Sequence, residues 1–253
     1  MNVACRAALT AGRRRAGMLA WAAVLCVTSM STAPSRALGQ PSEPARTRAI
    51  ADSAHGFRLV ISVDDRRLWA IIGRDTVLSA PVGVASGSSL EYQGRRWRFE
   101  TPRGRRTVVA KDSLPLWVPP EWHYYEVAQA RGLTVRNLDA GRPVELADGR
   151  RLDVRGAAVG IVGRDSVFTP LAPTDEIIFD GVLFIPPLGT ANRRIPGELG
   201  TYRIDLGGGY LLHGTRDAAS IGQAATHGCI RLRDADIAWL YEFVPIGARV
   251  FIY

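Results

Sequence analysis

The sequence predicts a mostly β protein with a few short helices. Three observations carry this. Apolar and polar residues alternate in short runs from Phe57 onward, Asp-Gly pairs recur between apolar runs, and only two stretches show helical spacing. In the first run Leu59, Ile61 and Val63 alternate with Val60, Ser62 and Asp64. Asp64-Asp65 then turns the chain into Arg67–Ile72, and Gly73-Arg74-Asp75 turns it again into a strand over 77–84, an antiparallel meander. Asp148-Gly149 lies between Glu145-Leu146 and the run 152–154, and Asp180-Gly181 between the runs 177–179 and 183–185, so each marks a further hairpin. The stretch 71–78 (IIGRDTVL) nearly repeats at 161–168 (IVGRDSVF), which fits one turn solution used twice, with duplication of a hairpin as the alternative.

The two helices are short. One follows Pro119-Pro120, runs over 121–130 and is ended by Gly132. The other is expected to start on Asp234 as N-cap, to place Ile237, Leu240, Tyr241 and Val244 on one stripe with Trp239 off it, and to stop at Pro245. Ile246-Gly247 then turns the chain into a last strand, 249–253, expected to be tied into a sheet.

Residues 1–37 have the three parts of a secretory leader. An arginine-rich start (Arg6, Arg13, Arg14, Arg15) precedes an apolar run over about 16–27, and small residues follow. The apolar run falls short of the roughly 20 residues that a spanning helix needs. Cleavage after Ala37 or Gly39 fits the small-residue rule, and an uncleaved leader serving as a membrane anchor is the alternative. The expected location is therefore the periplasm or cell envelope. Residues 38–56, polar and proline-bearing, are expected to form a linker, and 57–253 the folded domain. Removing 1–37 takes away five arginines and no acids, leaving 27 basic against 24 acidic residues, so the net charge falls from +8 to +3. The remaining arginines are interleaved with Asp and Glu, which argues against a nucleic-acid partner.

Of three cysteines, Cys5 and Cys26 lie in the leader, so Cys229 is the one thiol expected in the exported chain. It stands in Thr226-His227-Gly228-Cys229, between polar and glycine residues, in the loop before the second helix. His213 ends a short strand after the turn Gly207-Gly208-Gly209. A cysteine nucleophile needs a base, and His213 is the nearest candidate. A histidine partner is expected to pull the thiol pKa below its ordinary value of about 8.5. Gly228 lets the backbone bring the amides of Gly228 and Cys229 toward a reacting carbonyl as an oxyanion hole, each donor worth about 3 kcal/mol. His213, His227 and Cys229 match no zinc spacing, and neither a metal nor an organic cofactor is expected.

The run 211–215 (LLHGT), then Ser220-Ile221-Gly222, then 226–232 (THGCIRL) resembles the signature of the L,D-transpeptidase family, the YkuD-like domain. Thr101-Pro102-Arg103-Gly104 resembles the family's Thr-Pro-x-Gly turn, and 199–204 (LGTYRI) the strand that leads into its histidine. The resemblance spans 57–253 and is strongest in the last 55 residues. It implies a β-sandwich or barrel-like YkuD fold acting on peptidoglycan stem peptides in the cell envelope. Cys229 would attack the third residue's carbonyl in a tetrapeptide donor, expel D-alanine and hold a thioester. An amine acceptor from a neighbouring stem would resolve it into a 3-3 cross-link, or an envelope protein would be attached instead. His213 would serve as base and then acid, oriented by the carbonyl of Gly214. His227, Arg231, Thr226 and Thr215 would contact substrate, with local electrostatics the alternative for His227 and tying the loop to the sheet an equal role for Arg231. Carbapenem-type β-lactams would acylate Cys229.

The sequence departs from a minimal domain by a large insertion at about 113–190. Its aromatics around Trp117 and Trp122 suit either a wall over a peptide groove or the core of an extended sheet. Arg216 and Ala218 stand where family members often carry Asn and Pro. Two other functions fit the same residues: an L,D-carboxypeptidase or amide hydrolase in which water resolves the thioester, and a non-catalytic wall-binding module.

Overall fold

The computed structural model describes residues 42–253, which lie in one compact unit. The leader expected over 1–37 lies outside the described residues. The fold is mostly β with three α-helices among the described residues: α1 (Glu43–Ser53), α2 (Glu121–Arg131) and α3 (Asp234–Phe243). None of them is long and apolar enough to cross a membrane.

The meander forms as its alternation predicts. Strand Phe57–Ser62 pairs antiparallel with Arg67–Ile72, which pairs antiparallel with Asp75–Pro81. The last strand, Arg249–Ile252, lies parallel beside Phe57–Ser62 and antiparallel to Gly104–Thr107, completing five strands. A second sheet contains, in order, Ile230–Arg231, Leu211–His213, Tyr202–Asp205 and Ala110–Ser113. Both sheets feed one core. Leu59, Ile61, Leu68, Val250 and Ile252 come from the first, Ile204, Leu212 and Ile230 from the second, and Ile237, Leu240 and Val244 from α3 and its end. A contiguous apolar cluster of this kind supplies most of the stability of such a domain.

The first strand is buried along both faces, where the sequence suggested one apolar face. The reason is α1, which corrects the expected linker. Residues 43–53 fold as a helix whose Ala51, with Ala54 just beyond it, packs on Val60 and Phe251 on the far side of the sheet. Proline in its first turn favours the helix start, and only Thr47 and Ala51 along it are buried. A stripe that narrow does not stand out from a polar composition.

The insertion has its own apolar clusters. Strands Arg151–Arg155 and Ala158–Val162 pair across a hairpin, and Thr134–Asn137 lies parallel to Val182–Ile185. Leu138, Leu152, Val159, Ile177 and Phe184 pack together, and a smaller cluster beneath α2 joins Tyr124 and Ala128 to Leu183 and Ile185. Both Asp-Gly turns close hairpins as expected. Helix α2 ends on Gly132 at φ +65°, a left-handed cap that glycine adopts without steric cost.

Helix α3 differs from expectation at its start. Arg233 is the N-cap, and Asp234 is the first helical residue, where its charge favours the helix dipole. At the other end Lys111 Nζ donates to the carbonyls of Tyr241 (2.6 Å) and Val244 (2.9 Å), tying the helix to strand Ala110–Ser113.

Candidate functional site

Three consecutive glycines at positive φ, Gly207, Gly208 and Gly209, return the chain from Tyr202–Asp205 into Leu211–His213. His213 ends that strand and is 4% exposed. On its other edge the strand pairs parallel with Ile230–Arg231, matching Leu212 to Ile230 and His213 to Arg231. Cys229, one residue before Ile230, therefore falls opposite Leu211. Residues two apart on a strand share a face, so Cys229 and His213 sit diagonally across adjacent strands. A backbone hydrogen bond with Leu211 ties the thiol to that position.

His213 Nδ1 lies 2.6 Å from the carbonyl oxygen of Gly214. A carbonyl only accepts, so Nδ1 carries the proton and Nε2 is the basic nitrogen. Gly214 is required here by space, since a Cβ would stand 2.3 Å from Asp234 Oδ1. The start of α3 thus fixes the peptide that orients the histidine. Burial, aided by the Arg231 charge, lowers the His213 pKa from 6.5 to about 4 against the opposing hydrogen bond to Gly214. At neutral pH the ring is uncharged.

The thiol runs against the sequence expectation. Burial pushes the Cys229 pKa up, and the Leu211 hydrogen bond and the Arg231 charge oppose it only in part. Cysteine and histidine rest as a neutral thiol and imidazole, because desolvation disfavours charge on both partners.

The oxyanion hole is also not as expected. Thr226 is 2% exposed, and its Oγ1 donates to the Cys229 carbonyl (2.6 Å) and accepts from the Gly228 amide (3.2 Å). The Gly228 N–H is therefore engaged within the loop, and the Cys229 amide is the donor left without an acceptor among the described residues. Thr226 holds the loop through its hydroxyl. Gly228 itself has φ +144°, a conformation that side-chain-bearing residues rarely adopt, and a Cβ there would stand 3.6 Å from Tyr210 Cε1.

Arg231 is tied through its backbone, exchanging two 2.9 Å hydrogen bonds with Gly83. Its guanidinium lies 4.0 Å from Asp217 Oδ2 at the surface and lends positive charge to both His213 and Cys229. Thr215 Oγ1 accepts from the Asp217 amide at 3.1 Å, which shapes the loop beyond His213. The Thr-Pro-Arg-Gly turn contributes Thr101, whose Oγ1 accepts from the Ala85 amide at 2.9 Å. Ala85 pairs with Thr226, so that turn braces the motif loop from behind.

His227 brings in residues that the motif did not indicate. Its ring stacks on Trp122 (centroids 4.1 Å apart, 17° between planes) and meets Phe99 edge-on at 4.4 Å. Its Nε2 lies 3.0 and 3.1 Å from the two carboxylate oxygens of Glu126. Trp122 and Glu126 are one turn apart on α2, so the insertion reaches the cysteine loop through these two side chains. Trp117 meets His123 at 4.9 Å. The signal for Glu126 was its i, i+4 spacing from Trp122. Among the described residues no three His, Cys, Asp or Glu side chains converge as a metal site.

Fold and site together define a mostly β domain with a buried histidine and a cysteine on neighbouring strand ends, an arrangement suited to acyl transfer. The chain belongs to the YkuD family, the L,D-transpeptidase catalytic domain, whose family model matches residues 56–252. It is 46% identical over 52 residues to the probable L,D-transpeptidase YbiS of Escherichia coli, a match covering 21% of this chain and 17% of that protein. It is 52% identical over 46 residues to the probable L,D-transpeptidase YcfS of Escherichia coli, covering 18% and 14%. The matched stretch thus spans less than a fifth of either relative. Among solved structures, the L,D-transpeptidase of Xylanimonas cellulosilytica aligns over 82% of this chain and 69% of its own, at 18% identity and a TM-score of 0.42. Mycobacterium tuberculosis L,D-transpeptidase 3, solved with a faropenem-derived adduct, aligns over 78% and 60% at 17% identity and a TM-score of 0.38.

Proposed function

We propose that this chain is an exported, cysteine-dependent peptidoglycan L,D-transpeptidase with Cys229 as nucleophile and His213 as its base. The observation that carries this is His213 itself. Its Nδ1–H is held on the Gly214 carbonyl and its ring is uncharged, so Nε2 is free to take a proton beside Cys229. The leader directs the chain to the cell envelope, where stem peptides are.

A raised thiol pKa and a lowered imidazole pKa mean that proton transfer does not precede attack. It accompanies formation of the S–C bond, as general-base catalysis requires. Sγ adds to the carbonyl of the donor's third residue while His213 Nε2 takes the thiol proton. The Cys229 amide meets the developing oxyanion. His213 then gives its proton to the leaving nitrogen, the bond to D-alanine breaks, and a thioester remains. The acceptor amine adds to the thioester, His213 takes its proton, and the proton returns to sulfur as the new amide forms. Arg231 lowers the cost of negative charge on sulfur.

Intact-protein mass spectrometry tests the assignment. Incubation with a carbapenem, or with a tetrapeptide donor, is expected to add one acyl group that peptide mapping places on Cys229, and the Cys229→Ser variant is expected to remain unmodified. An unchanged mass after prolonged exposure to both would contradict it.

A further inference from the structure

Helix α2 is anchored from two sides, and its remaining face meets the motif loop. Tyr124 and Ala128 pack into the insertion's own cluster. The hairpin 89–98 holds it from the other side, with Tyr92 stacked on Tyr125 at 4.9 Å and Arg95 Nη1 2.8 Å from Glu121. Trp122 and Glu126 then project together onto His227, two residues before Cys229. Carboxylate oxygens accept hydrogen bonds, so the contact at 3.0 Å assigns the proton to His227 Nε2. Nδ1 is then the ring nitrogen without a partner among the described residues. The pair borders solvent, with side chains 43% exposed at Glu126 and 31% at His227, so a ligand can reach it.

We infer that Glu126, on the insertion helix, is a positioning residue for substrate recognition: with Trp122 it fixes the His227 ring so that Nδ1 faces the bound stem peptide and hydrogen-bonds it beside the carbonyl that Cys229 attacks. This rests on the stem-peptide function proposed above. It makes the insertion part of the peptide site.

The test uses the intact protein and its Glu126→Ala and His227→Ala variants and their double variant. Alanine is a good helix former, and Glu126 is a partly exposed position on α2, so the helix is expected to persist. Long-range 15N spectra of the histidine rings are expected to show a proton held on His227 Nε2 in the parent, and a mixed population of ring tautomers in Glu126→Ala. With a disaccharide-tetrapeptide donor, KM is expected to rise about tenfold in Glu126→Ala, the loss of roughly one hydrogen bond. Iodoacetamide is expected to modify Cys229 at a rate within about twofold of the parent. The double variant is expected to lose no more than His227→Ala alone, as coupled residues do. A purely structural role would slow alkylation and turnover together and would overturn the inference. An Nε2 without its proton in the parent, an unaltered KM, or additive losses would also overturn it. Absence of Cys229-dependent turnover in the parent would instead sink the stem-peptide function, and the substrate assignment of His227 with it.

Discussion

Acidifying the protein from pH 7 to pH 4 puts a proton on His213 in the unfolded chain while the folded chain resists it. The folded pKa is about 4 against 6.5 for a free histidine, because the ring is buried and Arg231 is near. Between those values the unfolded state binds one more proton than the folded state, so stability falls as the pH drops through 6.5. The loss levels off below about pH 4. At about 1.36 kcal/mol per pH unit, the full effect comes to about 3 kcal/mol. The perturbation that isolates it is His213→Gln, whose carboxamide can still donate to the Gly214 carbonyl but does not titrate. Urea unfolding followed by tryptophan fluorescence at a series of pH values gives the stability of each protein. The carboxylates are common to both and cancel in the difference. The stability of the parent relative to the variant is expected to fall by about 3 kcal/mol between pH 7 and pH 4. Parallel curves would refute the premise that His213 is buried as the neutral base.

Three further outcomes follow from the same geometry. Gly228→Ala places a Cβ 3.4 Å from the Glu100 carbonyl at φ +144°; strain of about 1–3 kcal/mol should lower the melting temperature, and donor turnover should fall at least tenfold. Arg231→Gln removes the positive charge that favours the thiolate, so the pH profile of iodoacetamide modification should move to higher pH, and an unmoved or downward-shifted profile would contradict the assigned role. Lys111→Met leaves the Tyr241 and Val244 carbonyls at the end of α3 without their donor, and urea unfolding should show a loss of about 1–3 kcal/mol.

Local chemistry was the most legible part of the sequence. The meander, the Asp-Gly hairpins, the Gly132 helix end and the closing strand follow from alternation and from turn residues with few alternatives. His213 and Cys229 could be paired because the strand end and the capped loop that carry them lie only sixteen residues apart. What long-range packing decides was hidden. Helix α1 reads as a polar tether because only two of its residues are buried along its length. The thiol pKa was expected to fall because a neighbouring base was visible, while the burial that raises it was not. Nothing in the motif indicates that the Thr226 hydroxyl closes the loop and occupies the Gly228 amide. Glu126 was missed because its partner His227 lies 101 residues away. The aromatics around Trp122 read equally as a groove wall or as sheet core, and no local pattern indicates that Trp122 stacks on His227.

Product mass analysis tests the central claim most directly. The purified protein would be incubated with disaccharide-tetrapeptide beside Cys229→Ser and His213→Ala. Loss of one D-alanine with formation of a cross-linked dimer, seen in the parent and absent from both variants, is the result this account predicts. Dimer formation by Cys229→Ser would contradict the assigned nucleophile, and tripeptide monomer alone would replace transfer to an amine with hydrolysis.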